Sequence, residues 1–260
     1  MSDPTSQFNS EVTQRVSAQA TNQPLLEAAA AFLRASAQPK YSYNFSWLGR
    51  PIIQYPQDIV AFQELVWQVK PDLIVETGIA HGGSLVLSAS LLAMLDYCEA
   101  QQNGQTLDPN KPARKVLGVD IDIRPHNKKA IEDHPMANRI EMIQGSSIAP
   151  DIIKQVRDRA HQAKRILICL DSNHTHDHAL AELEAYAPLT SVGSYCIVFD
   201  TIIEDLPEGS FPDRPWNKGK NPKTAVWEYI KKHPEFVIDK SIDNKIIISV
   251  APDGFLKRIR

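Results

Sequence analysis

The sequence predicts an α/β fold, a Rossmann-like, doubly wound and mostly parallel β-sheet that ends in an antiparallel strand pair. Short and almost continuously apolar runs alternate with segments of helical periodicity, and the first run leads into a glycine turn. Strands that are covered by helices on both faces have this unbroken apolar character. Because a regular alternation of strand and helix builds a parallel sheet, these observations indicate the doubly wound class.

Five apolar runs provide the predicted parallel strands. One helical segment lies before the first strand, and one follows each of the first four strands. The strands span residues 73–75, 116–121, 140–143, 166–170 and 195–199. The helices span residues 57–69, 84–98, 126–132, 151–162 and 176–186. Since the crossovers of such sheets are right-handed, the carboxyl ends of all five strands should meet at one edge, where ligands bind.

Beyond residue 199 the alternation changes. Residues 201–220 contain several Pro and Gly residues and Trp216, and they predict a long loop that closes over a ligand as a lid. A helix is predicted over 224–232, and residues 236–238 and 245–250 are predicted to pair as the antiparallel strands.

The length of 260 residues, 43% of them hydrophobic, predicts one domain with extensions. We expect a mobile arm over residues 1–22, a helical and loop extension over 23–56, and the α/β domain over 57–260. The apolar pattern of the extension predicts a helix that packs on the core or on a second subunit, so a homo-oligomer is one expectation.

Charge and cysteine content argue against several classes of partner. The 28 basic and 31 acidic residues give a net charge of -3, which provides no basic surface for nucleic acid. The cysteines Cys98, Cys169 and Cys196 lack metal-type spacing and suit a reducing compartment. No apolar run approaches the roughly 18 residues of a membrane span. We therefore expect a cytoplasmic protein that acts on a small molecule.

A glycine turn after the first strand is the first candidate site. Glycines let the backbone approach a ligand, and a helix N-terminus favours negative charge. The Gly-x-x-x-Gly-Gly spacing differs from the dinucleotide fingerprint, and the preceding Glu76 suits the ammonium of a bound amino acid, such as the methionine part of S-adenosylmethionine. Glycine turns also occur in α/β proteins without such a ligand. The candidate cofactor-binding residues here are Glu76, Thr77, Gly78, His81, Gly82 and Ser84.

The ends of the second and third strands extend this site. A carboxylate at the end of the second strand can accept hydrogen bonds from both ribose hydroxyls, which is the role predicted for Asp120. Ile121 lies beside it, and the polar groups after the third strand are predicted to meet the adenine. These last candidates are Gly145, Ser146 and Ser147.

Two aspartates at the ends of the fourth and fifth strands form the second candidate site. Asp171 and Asp200 should project from the same edge, and hard oxygen ligands that face each other predict a Mg²⁺ site, with Thr201 as a further ligand. Asp171 is also placed among the cofactor-binding residues. Such a metal can lower the pKa of a substrate hydroxyl. The alternative is that each aspartate only caps the element after it.

Three histidines, His174, His176 and His178, lie close to this site. The cluster raises a zinc alternative, although His174 and His178 share a helical face that His176 does not. His174 follows Asp171 by three residues, and its near-neutral pKa suits a catalytic base that deprotonates a hydroxyl. The alternative is that it only forms a hydrogen bond within the loop.

Several motifs in a fixed order resemble the cephalosporin hydroxylase / rhamnosyl O-methyltransferase family. They are WLGRPIIQYP at 47–56, ETGIAHGGS at 76–84, GVDIDIR at 118–124, GSS at 145–147 and LDSNH at 170–174. The resemblance implies a Rossmann-like methyltransferase fold, S-adenosylmethionine and often Mg²⁺. Members of the family are associated with sugar O-methylation or with the hydroxylation and methoxylation of cephalosporins.

The resemblance also assigns roles to residues. It implies that Glu76, Gly78 and Asp120 bind the cofactor, and that Asp171 and Asp200 bind the metal.

Two positions depart from the family pattern. Phe199 and Asn173 stand where acidic residues are usual, which leaves three alternatives: no metal, a more weakly bound metal, or a divalent site completed by Asn173, Thr201 or Glu204.

The leading hypothesis is therefore an S-adenosylmethionine-dependent O-methyltransferase that acts, with Mg²⁺, on a hydroxyl of a sugar or a small natural product. One alternative is a hydroxylase or another tailoring enzyme on the same fold. The other is a non-catalytic nucleoside-binding subunit.

Overall fold

A seven-stranded mixed β-sheet forms the centre of the structure, a computed structural model that describes residues 3–260. The strands are, in chain order, β1 (Phe45–Trp47), β2 (Arg50–Ile52), β3 (Leu73–Thr77), β4 (Lys115–Asp120), β5 (Ile140–Gln144), β6 (Ile166–Leu170), β7 (Tyr195–Val198), β8 (Phe236–Ile238) and β9 (Phe255–Arg258). β1 and β2 form a separate hairpin, and the large sheet has the order β5-β4-β3-β6-β7-β9-β8. β3 to β7 are parallel, and β9 is antiparallel to both of its neighbours.

Prolines mark the start of most helices. The helices are α1 (Pro4–Gln19), α2 (Gln23–Ala37), α3 (Pro56–Val69), α4 (Gly83–Asn103), α5 (Pro125–Glu132), α6 (Pro150–Ala160), α7 (His176–Tyr186), α8 (Pro222–Lys232) and α9 (Lys240–Ile246). Proline suits the first helical turn because its missing N–H would have no partner there and its φ is already helical. The predicted helices therefore begin one or two residues late wherever a proline precedes them.

The sheet has an apolar layer on each face. Alternate residues of β3 point to opposite faces, so Ile74 packs with α3 and α4 while Val75 packs with α6, α7 and α8. Burial on both faces explains the unbroken apolar strands and confirms the doubly wound class. Among residues 3–260, α4 alone is long and apolar enough to span a membrane, and half of its apolar window is buried as a core helix of this sheet.

The second antiparallel strand was predicted at the wrong place. Residues 245–250 are not a strand: Asp239 caps the N-terminus of α9, which runs to Ile246, and Ile247 has a φ of 61° that ends the helix. Three consecutive isoleucines have the composition of a strand, but the cap and its helix precede them. The strand is instead β9, which inserts between β7 and β8.

The N-terminal segments form helices against the same chain. α1 occupies most of the predicted arm; it has no buried residue, and Gln19 Nε2 donates to Asn244 O at 3.0 Å. Residues Met1 and Ser2 of that arm lie outside the described part of the chain. α2 packs on the core, where Ser36 Oγ lies 2.7 Å from Tyr55 Oη. The proposed division at residues 22 and 56 remains a prediction.

A buried ion cluster joins α4 to the sheet. Asp96 accepts from Arg114 through one carboxylate oxygen and from Arg139 Nη1, at 2.5 Å, through the other. All three residues are buried. Arg114 also donates to Glu99 at 2.7 Å. Asp96 therefore compensates two guanidinium groups that water does not reach.

We predict that Asp96→Ala destabilises the protein by about 3–5 kcal/mol, because it leaves two buried cations without their shared anion. Urea unfolding followed by circular dichroism measures this change. Asp133→Ala is the control, since its pair with Lys129 is exposed and contributes little. Equal effects of the two substitutions would contradict the role of Asp96.

Candidate functional site

The predicted site residues meet at the carboxyl edge of the parallel strands. A narrow pocket of about 30 Å³ lies there, lined by Glu76, Gly78, Ser84 and Asp171, together with Asp58 from α3. It holds little more than a water molecule or two in this conformation. Its importance lies in its walls, which bring three carboxyl groups to one place.

The glycine turn requires glycine for steric reasons. Gly78 has a φ of 88°, and a Cβ at this position would lie 2.1 Å from Asp171 O. Gly82 has a φ of 81° and precedes α4 as its N-cap. The loop therefore lies directly against the end of β6, and its backbone is exposed to any ligand at the sheet edge.

Hydrogen bonds from Arg50 and Asn127 fix two carbonyl groups of this loop. Arg50 donates to His81 O through Nε at 2.9 Å and to Asn127 Oδ1 at 3.1 Å, and Asn127 Nδ2 donates to Ala80 O at 2.9 Å. His81 thus takes part through its backbone. With the carbonyl groups fixed, the loop keeps one conformation.

Asp120 is bound to the glycine turn in addition to facing the site. Its Oδ2 accepts from Ile79 N at 2.7 Å and Ala80 N at 3.3 Å, and its Oδ1 accepts from Asp122 N at 2.9 Å. Ile121 next to it is 71% exposed. A carboxylate with one bond to Oδ1 retains acceptor capacity for a ribose, and an exposed isoleucine offers an apolar surface to a base.

Glu76 is a buried carboxyl group, and it has no cationic partner among residues 3–260. Ser88 Oγ donates to it, and the residue is 4% exposed. Burial raises the pKa of Glu76 to about 7, against the hydrogen bonds of Ser88 and Ser84. Burial likewise raises the pKa of Asp58 to about 7, against hydrogen bonds from Ser249 and Val250. Both groups would gain from a nearby positive charge.

A hydrogen-bond network, the Glu182 network, fixes the two loops that follow β5 and β6. It consists of Glu182, His178, Ser172 and Ser147. Ser172 Oγ donates to Glu182 Oε1 at 2.6 Å and lies 3.1 Å from His178 Nε2, which is 3.0 Å from Ser147 Oγ. Because the single proton of Ser172 goes to Glu182, His178 Nε2 must carry a proton and donate it. Gly145 N donates to Asp120 O at 2.8 Å, which joins this loop to the second strand end.

Asp171, His174 and Asp200 form a compact group of possible metal ligands. One ligand atom from each lies within 4.8 Å of the others. His174 Nε2 is 2.9 Å from Asp200 Oδ2. Asp200 has a φ of 55°, a region that non-glycine residues rarely occupy and that clusters at functional sites. The group thus contains both predicted aspartates and the predicted base.

The electrostatics of this group show a shortage of positive charge. Burial lowers the pKa of His174, but the charge and hydrogen bond of Asp200 and the charge of Asp171 outweigh it and raise the pKa to about 9. Burial and the charge of Asp200 raise the pKa of Asp171 well above its usual range. Burial raises the pKa of Asp200 too, but the charge of His174 prevails and lowers it.

The other predicted metal ligands have different partners. Thr201 is fully buried and its hydroxyl donates to Pro252 O at 2.6 Å, so its role as a metal ligand beside Asp171 and Asp200 remains a prediction. Asn173 Oδ1 accepts from Thr175 N and Thr175 Oγ1, and Glu204 Oε2 accepts from Gly219 N and the Asn221 side chain. His174 is therefore the third member of the group, beside Asp171 and Asp200.

The remaining histidines do not join His174. His176 Nδ1 lies 2.8 Å from Thr224 Oγ1 and His176 Nε2 lies 3.3 Å from Glu228, while His178 belongs to the Glu182 network. The three rings thus face three different environments, which argues against the zinc alternative.

The predicted lid reaches the metal group. After a 3₁₀ turn over Thr201–Asp205, the loop returns to its base at Glu204, and the ring of Trp216 lies 4.7 Å from that of His174 in an edge contact. The guanidinium group of Arg214 lies over the Trp216 ring, with its central carbon 5.3 Å from the ring centre. An aromatic ring therefore lies next to the candidate base, and a cation lies next to that ring.

Sequence reasoning missed three polar positions of the site. Asp58 and Gln54 line the pocket beside Glu76, and Glu182 is buried in its network. Gln54 and Asp58 are polar residues on either side of Pro56, the residue that starts α3. Their position at the start of this helix was the signal that could have placed them at the ligand edge of the sheet. Glu182 gave a weaker signal, a charged residue on the apolar face of a helix.

Comparison with known proteins identifies the family. The family model described as Rhamnosyl O-methyltransferase/CmcI matches residues 39–259. The rhamnosyl O-methyltransferase of Mycobacterium tuberculosis (strain ATCC 25618 / H37Rv) is 31% identical over 206 residues, 77% of this chain and 73% of that protein. That of Mycobacterium leprae (strain TN) is 27% identical over 215 residues, 82% of each chain.

Solved structures agree with the fold. A structure of CmcI with Mg and SAM has a TM-score of 0.54 at 18% identity, covering 84% of this chain and 78% of that chain. CalS11, a TDP-rhamnose 3'-O-methyltransferase of calicheamicin biosynthesis, has a TM-score of 0.51 at 17% identity, covering 99% and 96%. The chain therefore belongs to the Rhamnosyl O-methyltransferase/CmcI family, and it is an S-adenosylmethionine-dependent O-methyltransferase.

Proposed function

We propose that this enzyme binds S-adenosylmethionine along the ends of β3, β4 and β5 and methylates a sugar hydroxyl held beside Asp171, His174 and Asp200. The contact of Gly78 with Asp171 O carries the proposal, because it joins the cofactor loop to the metal group. A methyl donor on the loop and a hydroxyl on the group would then be neighbours, as a direct displacement requires.

The buried carboxyl groups fit the charges of the proposed ligands. Glu76 lacks a cation and suits the ammonium of the methionine part, and Asp120 keeps acceptor capacity for the ribose. Asp171 and Asp200 provide two hard oxygen donors, a pair that fits Mg²⁺ with several of its waters retained, and His174 lies beside them as the base. A hydroxylase with the facial triad of two histidines and one carboxylate finds no counterpart in this group, which has one histidine and two carboxylates.

His174 is the proposed base, and its charge state depends on its neighbours. When bound, Mg²⁺ supplies positive charge that offsets the two carboxylates and lowers the pKa of an acceptor hydroxyl. The pKa of His174 then falls, since burial lowers it and the carboxylates no longer oppose burial. A neutral imidazole in this position can accept the hydroxyl proton.

Trp216 and the loop around it complete the acceptor side. The ring offers an apolar face next to His174, which suits the C–H face of a sugar, and the loop would exclude water from the reacting atoms. The relatives act on rhamnosyl groups, as their names state, which supports a deoxysugar as acceptor. The cytoplasmic location and a homo-oligomeric state remain predictions.

The first test is calorimetric titration with S-adenosylmethionine, with and without Mg²⁺. We expect Asp120→Ala to weaken binding at least about tenfold, because it removes the loop anchor and the ribose acceptor. We expect Asp200→Asn to keep cofactor binding and to abolish Mg²⁺-dependent methylation of rhamnosides. Asp122→Ala, an exposed neighbour, is the matched control and should bind normally. Cofactor binding that is insensitive to Asp120→Ala would refute the proposed site.

We predict that Glu76→Gln stabilises the cofactor-free protein at pH 8 and weakens cofactor binding. The pKa of Glu76 is about 7 in the folded state and 4.5 as its usual value. Between pH 4.5 and pH 7 the folded state therefore keeps a proton on Glu76 that the unfolded state has lost. The free energy of unfolding falls by about 3 kcal/mol as pH rises through this window. Glutamine keeps the acceptor for Ser88 without the charge.

Thermal unfolding from pH 4 to pH 8 measures this effect as the difference between wild type and variant. Glu132→Gln, an exposed position, is the control and should leave the pH slope unchanged. A variant with the same pH slope as wild type would show that Glu76 is not the titrating group.

We predict that Glu182 positions the cofactor loops. Glu182→Ala removes the acceptor of Ser172 and should raise the KM for S-adenosylmethionine about tenfold with a smaller change in kcat, since Ser147 and Ser172 flank the proposed cofactor. Glu182→Gln keeps an acceptor and should recover most of the affinity. Glu184→Ala, on the exposed side of α7, is the control. A uniform loss of kcat with unchanged KM would contradict this role.

A further inference from the structure

The backbone of Asp200 has a conformation that needs support from its surroundings. Its φ of 55° lies in the left-handed region, which residues with a Cβ rarely occupy, and a 3₁₀ turn over Thr201–Asp205 follows it. Such a residue keeps its conformation only where neighbouring contacts hold it. The contacts around this turn therefore decide where the carboxylate of Asp200 lies.

The two residues that follow this aspartate are bound to the chain segment before β9. Thr201 Oγ1 donates to Pro252 O at 2.6 Å, and Ile202 N donates to Val250 O at 3.1 Å. Thr201 and Ile202 are both buried, so water does not compete for either bond. The start of the turn is thus fixed at two consecutive residues.

The segment that receives these bonds, residues 249–252, is mostly buried although it forms neither a helix nor a strand. Buried backbone groups outside regular structure need other partners. Asp58 of α3 accepts from Val250 N through Oδ2 at 3.0 Å and from Ser249 Oγ through Oδ1 at 2.5 Å. Val250 is thus bound through its N–H to Asp58 and through its carbonyl to the turn after Asp200.

The exact position of the Asp200 carboxylate has consequences for the site. Its Oδ2 lies 2.9 Å from His174 Nε2, and one ligand atom each of Asp171, His174 and Asp200 lies within 4.8 Å of the others. Misplacement of such a group by about 1 Å is enough to slow a reaction strongly. Residues that hold the turn from behind therefore affect the site without contacting a ligand.

We propose that Thr201 and Asp58 are positioning residues, which hold Asp200 in its left-handed conformation and keep its carboxylate against His174. Thr201 acts through its bond to Pro252 O, and Asp58 acts through Val250. Their effect on activity rests on the proposed function, whereas their effect on the pair of Asp200 and His174 does not.

Nuclear magnetic resonance of the full-length protein with ¹⁵N-labelled histidine tests the position of Asp200. His174 Nε2 must carry a proton to donate to the Asp200 carboxylate, and a proton held in this way gives a downfield ring N–H signal. His174→Gln identifies the signal by its loss. We expect the signal in the wild type and its loss in Thr201→Val, which replaces the hydroxyl by a methyl group of similar size.

Two further variants separate positioning from a general loss of packing. Thr201→Ser keeps the hydroxyl and should keep the signal. Thr190→Val is the matched control, because Thr190 is also fully buried and its Oγ1 has no hydrogen-bond partner within residues 3–260. The same substitution at this position should leave the signal unchanged.

Asp58→Asn tests the other link. It turns one acceptor oxygen into an NH₂ group that faces a donor, and it should remove the signal while leaving the Thr201 hydroxyl in place. Asp72→Asn is the matched control, because Asp72 Oδ2 likewise accepts from two backbone N–H groups, those of Lys164 and Arg165, at the start of β3. Since Thr201→Val and Asp58→Asn break different bonds, each decides the proposal where the other does not fold.

Activity provides a second readout. The Mg²⁺ concentration for half-maximal methylation should rise about tenfold in Thr201→Val, while the KM for S-adenosylmethionine changes less than about twofold. Loss of the ring signal in Thr201→Val and Asp58→Asn, with its retention in Thr201→Ser and both controls, supports the proposal even where no methylation is found. The proposal is overturned by the absence of the signal from the wild type, by its persistence in Thr201→Val or Asp58→Asn, or by its loss in Thr201→Ser or either control.

Discussion

The approach of Gly78 to the carbonyl of Asp171 is the contact on which the arrangement of the site depends. A side chain at position 78 would collide with that carbonyl, and the φ of 88° disfavours every residue with a Cβ. The contact places the glycine turn of β3 against the end of β6. Asp120 then reaches back to the turn through Ile79 N, so three neighbouring strand ends form one surface. The proposed cofactor side and the proposed metal side of the enzyme are parts of this single surface.

This surface is held together at an electrostatic cost. Asp58, Glu76 and Asp171 are carboxyl groups with raised pKa values, and each lines the same pocket. Burial is the largest cause in each case, and of the three groups Asp171 has an imidazole beside it, that of His174, whose charge opposes the rise in its pKa. Such sites favour ligands that carry positive charge, because binding replaces the lost hydration. The sulfonium and ammonium of the cofactor and a divalent ion are ligands of this kind.

The sequence was sufficient for the parallel strands and for most site residues, because both follow from local rules. Buried strands are continuously apolar, and parallel strands place polar residues at one edge, which located Glu76, Asp120, Asp171 and Asp200. It was insufficient where the outcome depends on distant partners. Residues 245–250 have strand composition, but the helix that Asp239 caps runs to Ile246, and the partner of the Thr201 hydroxyl, Pro252 O, lies 51 residues further along the chain.

The departure at residue 199 and the position of His174 form one coherent change. Phe199 lines the cofactor pocket where the family usually has an acid, so one negative charge is absent from a site already rich in buried carboxyl groups. His174 occupies the third place and bonds to Asp200, which relieves repulsion between the two aspartates. Fewer anionic ligands mean weaker attraction for a divalent ion. Under the proposed function the same change leaves an imidazole next to the acceptor, so the site would exchange some metal affinity for a base whose proton affinity the aspartates control.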